Sequence, residues 1–105
     1  VDKEALLRRR MPEADVELPG VGTIRVRGLT RAEVMAGKQA GSDPATLERH
    51  MLVVGIVDPP LTADEVAQWY DSSPAGEIEP VSTRIAELSG LLEDSSKAAY
   101  KSAGD

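Results

Sequence analysis

Cysteine is absent from this 105-residue chain, which excludes disulfide bonds and thiolate metal sites and fits a reducing compartment. Phenylalanine is absent too, and one tryptophan and two tyrosines complete the aromatic set. The core must therefore be aliphatic, and a chain of this length buries roughly two-thirds of the surface its unfolded form exposes. No apolar run approaches the roughly 20 residues of a membrane span, and no signal peptide is visible. The glycines at 20, 22, 37 and 41 are not followed by Gly-Lys-Ser/Thr, so they make no phosphate loop. The single histidine, His50, has no second histidine or cysteine to share a metal or complete a triad. It reads as a helix-surface residue. Glu77 with Glu79, and Glu93 with Asp94, read as favourable charge near helix N-termini rather than as an acid–base pair. These absences point away from an enzyme, and no catalytic residue, metal ligand or cofactor is assigned.

Positive charge is also scarce where nucleic acid would need it. The net charge is −6, with residues 1–40 holding eight basic and six acidic side chains and residues 41–105 holding four and twelve. An acidic C-terminal two-thirds argues against a phosphate-binding surface. Arg8-Arg9-Arg10, the one basic cluster, reads as a solvated face. A helix-turn-helix around Asp58-Pro59-Pro60-Leu61 fails for the same reason, since its second helix would carry Asp64, Glu65 and Gln68 and no cation.

What is present is organised around Leu47–Val57, where apolar residues run almost unbroken. Asp43-Pro44 supplies an N-cap and a proline at the first helical position, and Asp58-Pro59-Pro60 stops the helix. Leu47, Met51 and Val54 recur at helical spacing, which predicts a central helix over 44–57. A buried strand over Met51–Val57, suited to β-branched Val53, Val54, Ile56 and Val57, is the alternative.

Upstream, residues 14–28 alternate as a β-hairpin around Pro19-Gly20-Val21-Gly22. With Val16, Leu18, Ile24 and Val26 on one face, the predicted pairs are 18 with 24 and 16 with 26. Glu17 then faces Arg25, and Asp15 faces Arg27. Leu29-Thr30-Arg31-Ala32-Glu33-Val34 combines a capping box with a hydrophobic staple, and Leu61-Thr62-Ala63-Asp64-Glu65-Val66 repeats the device 32 positions later. Gly37 and Gly41 predict that the first of these helices is brief. Ile78, Val81, Ile85, Leu88 and Leu92 mark a last amphipathic helix, starting near Glu79 and ending at Ser89 with Gly90 as a left-handed cap. A further helical turn or two is expected over 94–101.

The predicted fold is mainly α (α+β): four or five short helices around a central helix, with an N-terminal β-hairpin. Residues 1–12 form a short helix or loose arm. Residues 13–101 form one globular domain, with the hairpin at 14–27 and the helical part at 30–101, and 102–105 is a disordered tail.

Several stretches together carry a likeness. They are Pro12–Val34, Met51–Thr62 (Met-Leu-Val-Val-Gly-Ile-Val-Asp-Pro-Pro-Leu-Thr), Ile85–Leu91 (Ile-Ala-Glu-Leu-Ser-Gly-Leu) and Lys97–Lys101 (Lys-Ala-Ala-Tyr-Lys). They resemble the small tail assembly chaperones of long-tailed bacteriophages and prophages, especially those of actinobacterial hosts. The resemblance implies a protein that binds tape-measure protein and tail-tube protein during assembly in the host cytoplasm and is absent from the mature virion. Charge and hydropathy give no nucleic-acid or membrane partner, and self-association stays open. Two other classes stay in view: a structural tail or head-completion protein retained in the virion, and a small antitoxin-like regulatory module.

If the resemblance holds, client contacts fall on apolar surface positions. Trp69-Tyr70 and Leu91-Leu92 are adjacent pairs, and neighbours on a helix cannot both point inward. One of each pair is expected to face outward, which makes Trp69, Tyr70, Leu91 and Leu92 the candidate partner-binding residues.

Overall fold

The hairpin begins the fold as the alternation requires. In the computed structural model, which describes residues 1–92, β1 (Glu13–Leu18) and β2 (Gly22–Arg27) pair antiparallel. The apolar face is the predicted one, but the register is not. Val16 lies opposite Ile24, Leu18 opposite Gly22 and Asp15 opposite Arg25, a slip of two residues from the predicted pairing. A two-residue slip keeps every side chain on its face, so alternation alone cannot detect it. The turn decides. Val21 N–H donates to Leu18 C=O at 2.9 Å, with Pro19 second and Gly20 third at φ +80°, the arrangement of a type II turn.

The slip re-pairs the charges. Arg25 donates to Glu13 at 2.7 Å and to Asp15 at 2.8 Å. Arg27 is released to reach Glu33, making bonds of 3.0 and 2.8 Å to its two carboxylate oxygens.

The 44–57 stretch satisfies both of its readings, each over part of its length. The central helix, α3 in chain order, is Pro44–Gly55, and Ile56–Asp58 is a strand, β3, that pairs antiparallel with β2 through Val26 and Ile56. Asp43 caps the helix by accepting from Thr46 N–H at 3.0 Å. The helix ends before the predicted Val57 because Ile56–Asp58 turns extended and is taken up by pairing with β2. Gly55 also sits where a Cβ would lie 2.8 Å from Ile85 Cδ1. Leu52, fully buried, is the deepest residue of the helix, whereas Val54 is half-buried.

Around α3 pack α2 (Arg31–Ala40), α4 (Ala63–Ser72) and α5 (Glu79–Leu88), and α5 also lies across β1 and β2. Val26, Leu52, Val66, Val81 and Ile85 form the fully buried centre. The sheet order is β1-β2-β3, and the five helices among the described residues make with this sheet an α+β fold around a central helix, as predicted.

Both capping boxes form at Thr30 and Thr62. α2 is longer than Gly37 led us to expect, because that glycine is buried against α3. A Cβ there would lie 2.5 Å from His50 Cδ2, so its cost to the helix is offset by close packing. His50 is accordingly half-buried between the two helices rather than on the surface, its Nε2 2.7 Å from Glu33 C=O.

α5 starts at Glu79 and ends at a left-handed Gly90 (φ +76°), with Leu91 N–H donating to Ala86 C=O at 3.0 Å. Its end is tied to the start of α2: Leu29 N–H donates to Ser89 Oγ at 2.8 Å. The first helix, α1 (Lys3–Leu7), is capped by Asp2 and buries no residue. The helical turns expected over 94–101 and the tail at 102–105 lie outside the described residues.

Candidate functional site

α4 divides two cavities of different chemistry. Its cap is closed by Glu65 N–H to Thr62 Oγ1 at 3.2 Å and Thr62 N–H to Glu65 Oε1 at 2.9 Å. Val66 is then driven fully into the core. Trp69, one turn further along, lies along the rim of that core, half-buried.

Toward the sheet, Trp69, Leu61 and Glu65 face Leu18, Val21 and Ile24 of the hairpin end, with Ile56 and Pro59 as the floor. The result is an open, largely apolar groove of about 200 Å3. That is smaller than the ~300–1,000 Å3 usual for small-molecule sites, and suits one inserted side chain better than a cofactor. Trp69 does not leave its indole nitrogen in the groove: Nε1–H donates to Glu77 at 2.7 Å, which fastens the loop after α4.

On the other side of α4 lies a more polar cavity of about 430 Å3, lined by Glu48, Tyr70, Ser73, Ile78 and Glu79 among others. Both oxygens of Glu48 are taken, one by the Tyr70 hydroxyl and the other by Ser82 Oγ at 2.8 Å. This one carboxylate links α3, α4 and α5. Arg49 stands 5.7 Å over the Tyr70 ring. Burial first, and the bond to Glu48 second, push the Tyr70 phenol well above its ordinary range. It therefore stays protonated at neutral pH and acts as a donor, not as a base. The cluster is a structural strap.

A third groove, about 250 Å3 and mostly apolar, runs between α3 and α5 and is lined by Leu47, Met51, Ala86 and Leu92 among others.

The four predicted partner-binding residues thus separate. Trp69 and Tyr70 are both half-buried with their polar tips bonded, so neither faces fully outward as expected; the core rim accommodates both by turning one to each side of α4. Leu91 and Leu92 are both about half exposed (51% and 50%), because Gly90 ends the helix and removes the constraint that one of them point inward. The structure does not bring the two pairs together into one patch: Trp69 lines the sheet-side groove and Leu92 the α3–α5 groove.

Sequence reasoning missed Glu48 as a three-helix junction, because nothing local marks a carboxylate whose partners lie 22 and 34 residues away. It also missed Val21, although a valine in a Pro-Gly-Val-Gly turn has no local reason to be apolar and was the available signal.

Among the described residues, no group of three or more His, Cys, Asp or Glu side chains is placed to hold a metal ion. No helix among them is long and apolar enough to cross a membrane. No protein-family model matches the chain, and neither does any curated protein or solved structure.

Proposed function

We propose that this protein is a tail assembly chaperone of a long-tailed bacteriophage or prophage. It binds tape-measure protein, and with it tail-tube protein, in the host cytoplasm, and it is left out of the finished particle. The reading rests on the likeness carried by residues 12–34, 51–62, 85–91 and 97–101. The observation that supports it in the fold is the open apolar groove at Trp69, beside a helix whose first turn is acidic. A long helical client presents apolar anchors at i, i+3 and i+4 spacing, and a shallow groove that accepts one anchor at a time suits transient holding. The chaperone's own negative charge keeps it from joining the aggregates it prevents.

Co-expression with a tape-measure fragment tests this. Wild type raises the soluble yield of the fragment. Leu61→Ser and Leu92→Ser, one in each apolar groove, keep the native circular dichroism, and at least one lowers that yield. Equal solubilisation by both variants and wild type places the client elsewhere, and no effect of wild type removes the chaperone reading.

A further inference from the structure

The N-terminal arm has the chemistry that the Trp69 groove lacks. Leu6 and Leu7 stand exposed at 55% and 74%, and Arg8-Arg9-Arg10 follows at once. The arm is not packed down on its own chain. α1 buries no residue, and a gap of about 510 Å3 separates Leu7, the three arginines and Met11 from Leu29 and Thr30. Arg10 spends its guanidinium on the arm's own carbonyls at Leu6 and Arg8. Arg9 reaches Glu33 only at 4.0 Å, and Arg8 forms no ion pair among the described residues.

The groove is the complement. It is apolar at Leu18, Val21, Leu61 and Trp69, with Glu65 on its wall, and Asp58 and Asp64 are chain neighbours of Pro59 and Glu65, which also line it. Residues 51–83 carry six acidic side chains and no lysine or arginine. Arg25, beside Ile24 in sequence, is already paired with Glu13 and Asp15.

Position decides which copy supplies the arm. The arm is rooted at the base of the hairpin, where Gly28 N–H donates to Pro12 C=O at 3.0 Å. The groove opens at the turn, around Leu18 and Val21. The six residues of β1 separate these ends by about 17 Å. The five peptide steps from Pro12 back to Leu7 span at most about 18 Å, so an arm folded back on its own chain would reach the turn end only when almost fully stretched, away from its place beside Leu29, Thr30 and Glu33.

We infer that the arm of one copy docks in the groove of a second copy, with Leu6 or Leu7 as the apolar anchor and Arg8–Arg10 against the acidic start of α4. The contact is head-to-tail. Each joined pair leaves one arm and one groove free, so association proceeds past the dimer to a chain or ring. It also covers the proposed client groove when no client is present. In that respect alone it rests on the chaperone reading.

Sedimentation of the full chain by itself is the test. Wild type associates with rising concentration, and the association weakens at least about tenfold between low and high salt, because exposed ion pairs are screened. Leu6→Ser/Leu7→Ser removes the anchor and Val21→Lys places a cation in the groove. All three positions are exposed, so both variants fold, as circular dichroism checks, and each alone is monomeric. Mixed together they form a one-to-one complex and nothing larger, since each retains one intact half of the contact. A wild type that stays monomeric, a variant that associates like wild type, or a mixture that forms no complex overturns the inference. A monomeric chain that solubilises the tape-measure fragment refutes this inference alone, and an associating chain that does not refutes the chaperone reading alone.

Discussion

Leu29–Val34 and Leu61–Val66 carry the same four-residue cap and flanking staple, and their cap hydrogen bonds agree closely: 2.8 and 3.2 Å in the first, 2.9 and 3.2 Å in the second. Beyond the cap they diverge. In the first, the staple leucine is buried and the valine half-buried; in the second, the leucine is half-buried and Val66 is fully enclosed. Glu33 also receives two guanidinium bonds from Arg27 and ties the sheet to α2. Glu65 makes no ion pair among the described residues and is left on the wall of a groove. The cap is a property of four residues. What the remaining side chains do depends on what the fold sets in front of them.

The widest split between the two copies is expected at the staple valines. Val66→Asp puts an unpaired carboxylate into a fully enclosed site and unfolds the chain, whereas Val34→Asp lowers the melting temperature and leaves a folded protein. Thermal melts by circular dichroism separate them. Equal effects would show that the core does not distinguish the two helices.

Next comes the carboxylate. Glu33→Gln loses the Arg27 pair and costs about 1–2 kcal/mol, discounted for the partial exposure of that pair. Glu65→Gln changes stability by no more than about 0.5 kcal/mol. Urea unfolding reads both.

Proton linkage sharpens the same contrast. Arg27 chiefly, with help from the Thr30 N–H, and against an opposing effect of burial, holds the Glu33 carboxyl down from 4.5 to about 2. A folded-state value below the unfolded one means that the stabilisation is complete above pH 4.5 and is lost as pH falls from there toward 2. The stability gap between wild type and Glu33→Gln should therefore narrow over that window, and a constant gap would show that the Arg27 bond does not depend on the carboxyl's charge.

The smallest difference should lie in the caps themselves. Thr30→Ala and Thr62→Ala each cost about 1 kcal/mol and agree within about 0.5 kcal/mol. A clearly larger loss at Thr30 would mean that its cap draws on the neighbouring ion pair.

The candidate site was less legible than the fold. In the sequence, adjacency to Tyr70 on one helix marks Trp69 as a candidate. Its groove has no such mark, since the walls come from a turn, a strand end and a Pro-Pro link that no single pattern joins. The sequence presents Tyr70 as a surface anchor because its partner Glu48 sits on another helix, and His50 as exposed because the Gly37 that receives it is 13 residues upstream.

Local chemistry by itself determined how most of the helices begin, how one ends and which way the hairpin faces: the caps at Asp2, Thr30, Asp43 and Thr62, the left-handed end at Gly90, and the inward face of the hairpin. Each of these depends on residues a few positions apart, and the hydrogen bonds or alternation involved close within one turn or one strand pair. Tertiary structure alone decided the rest. Ile85 against Gly55 helps mark where helix gives way to strand, and His50 against Gly37 sets how closely α2 meets α3. Arg27 chose Glu33 over Asp15, and Glu48 gathered Tyr70 and Ser82 from two other helices. The physical reason is range: these contacts join residues distant in sequence, and which of them meet is settled only when the aliphatic core around Leu52 closes.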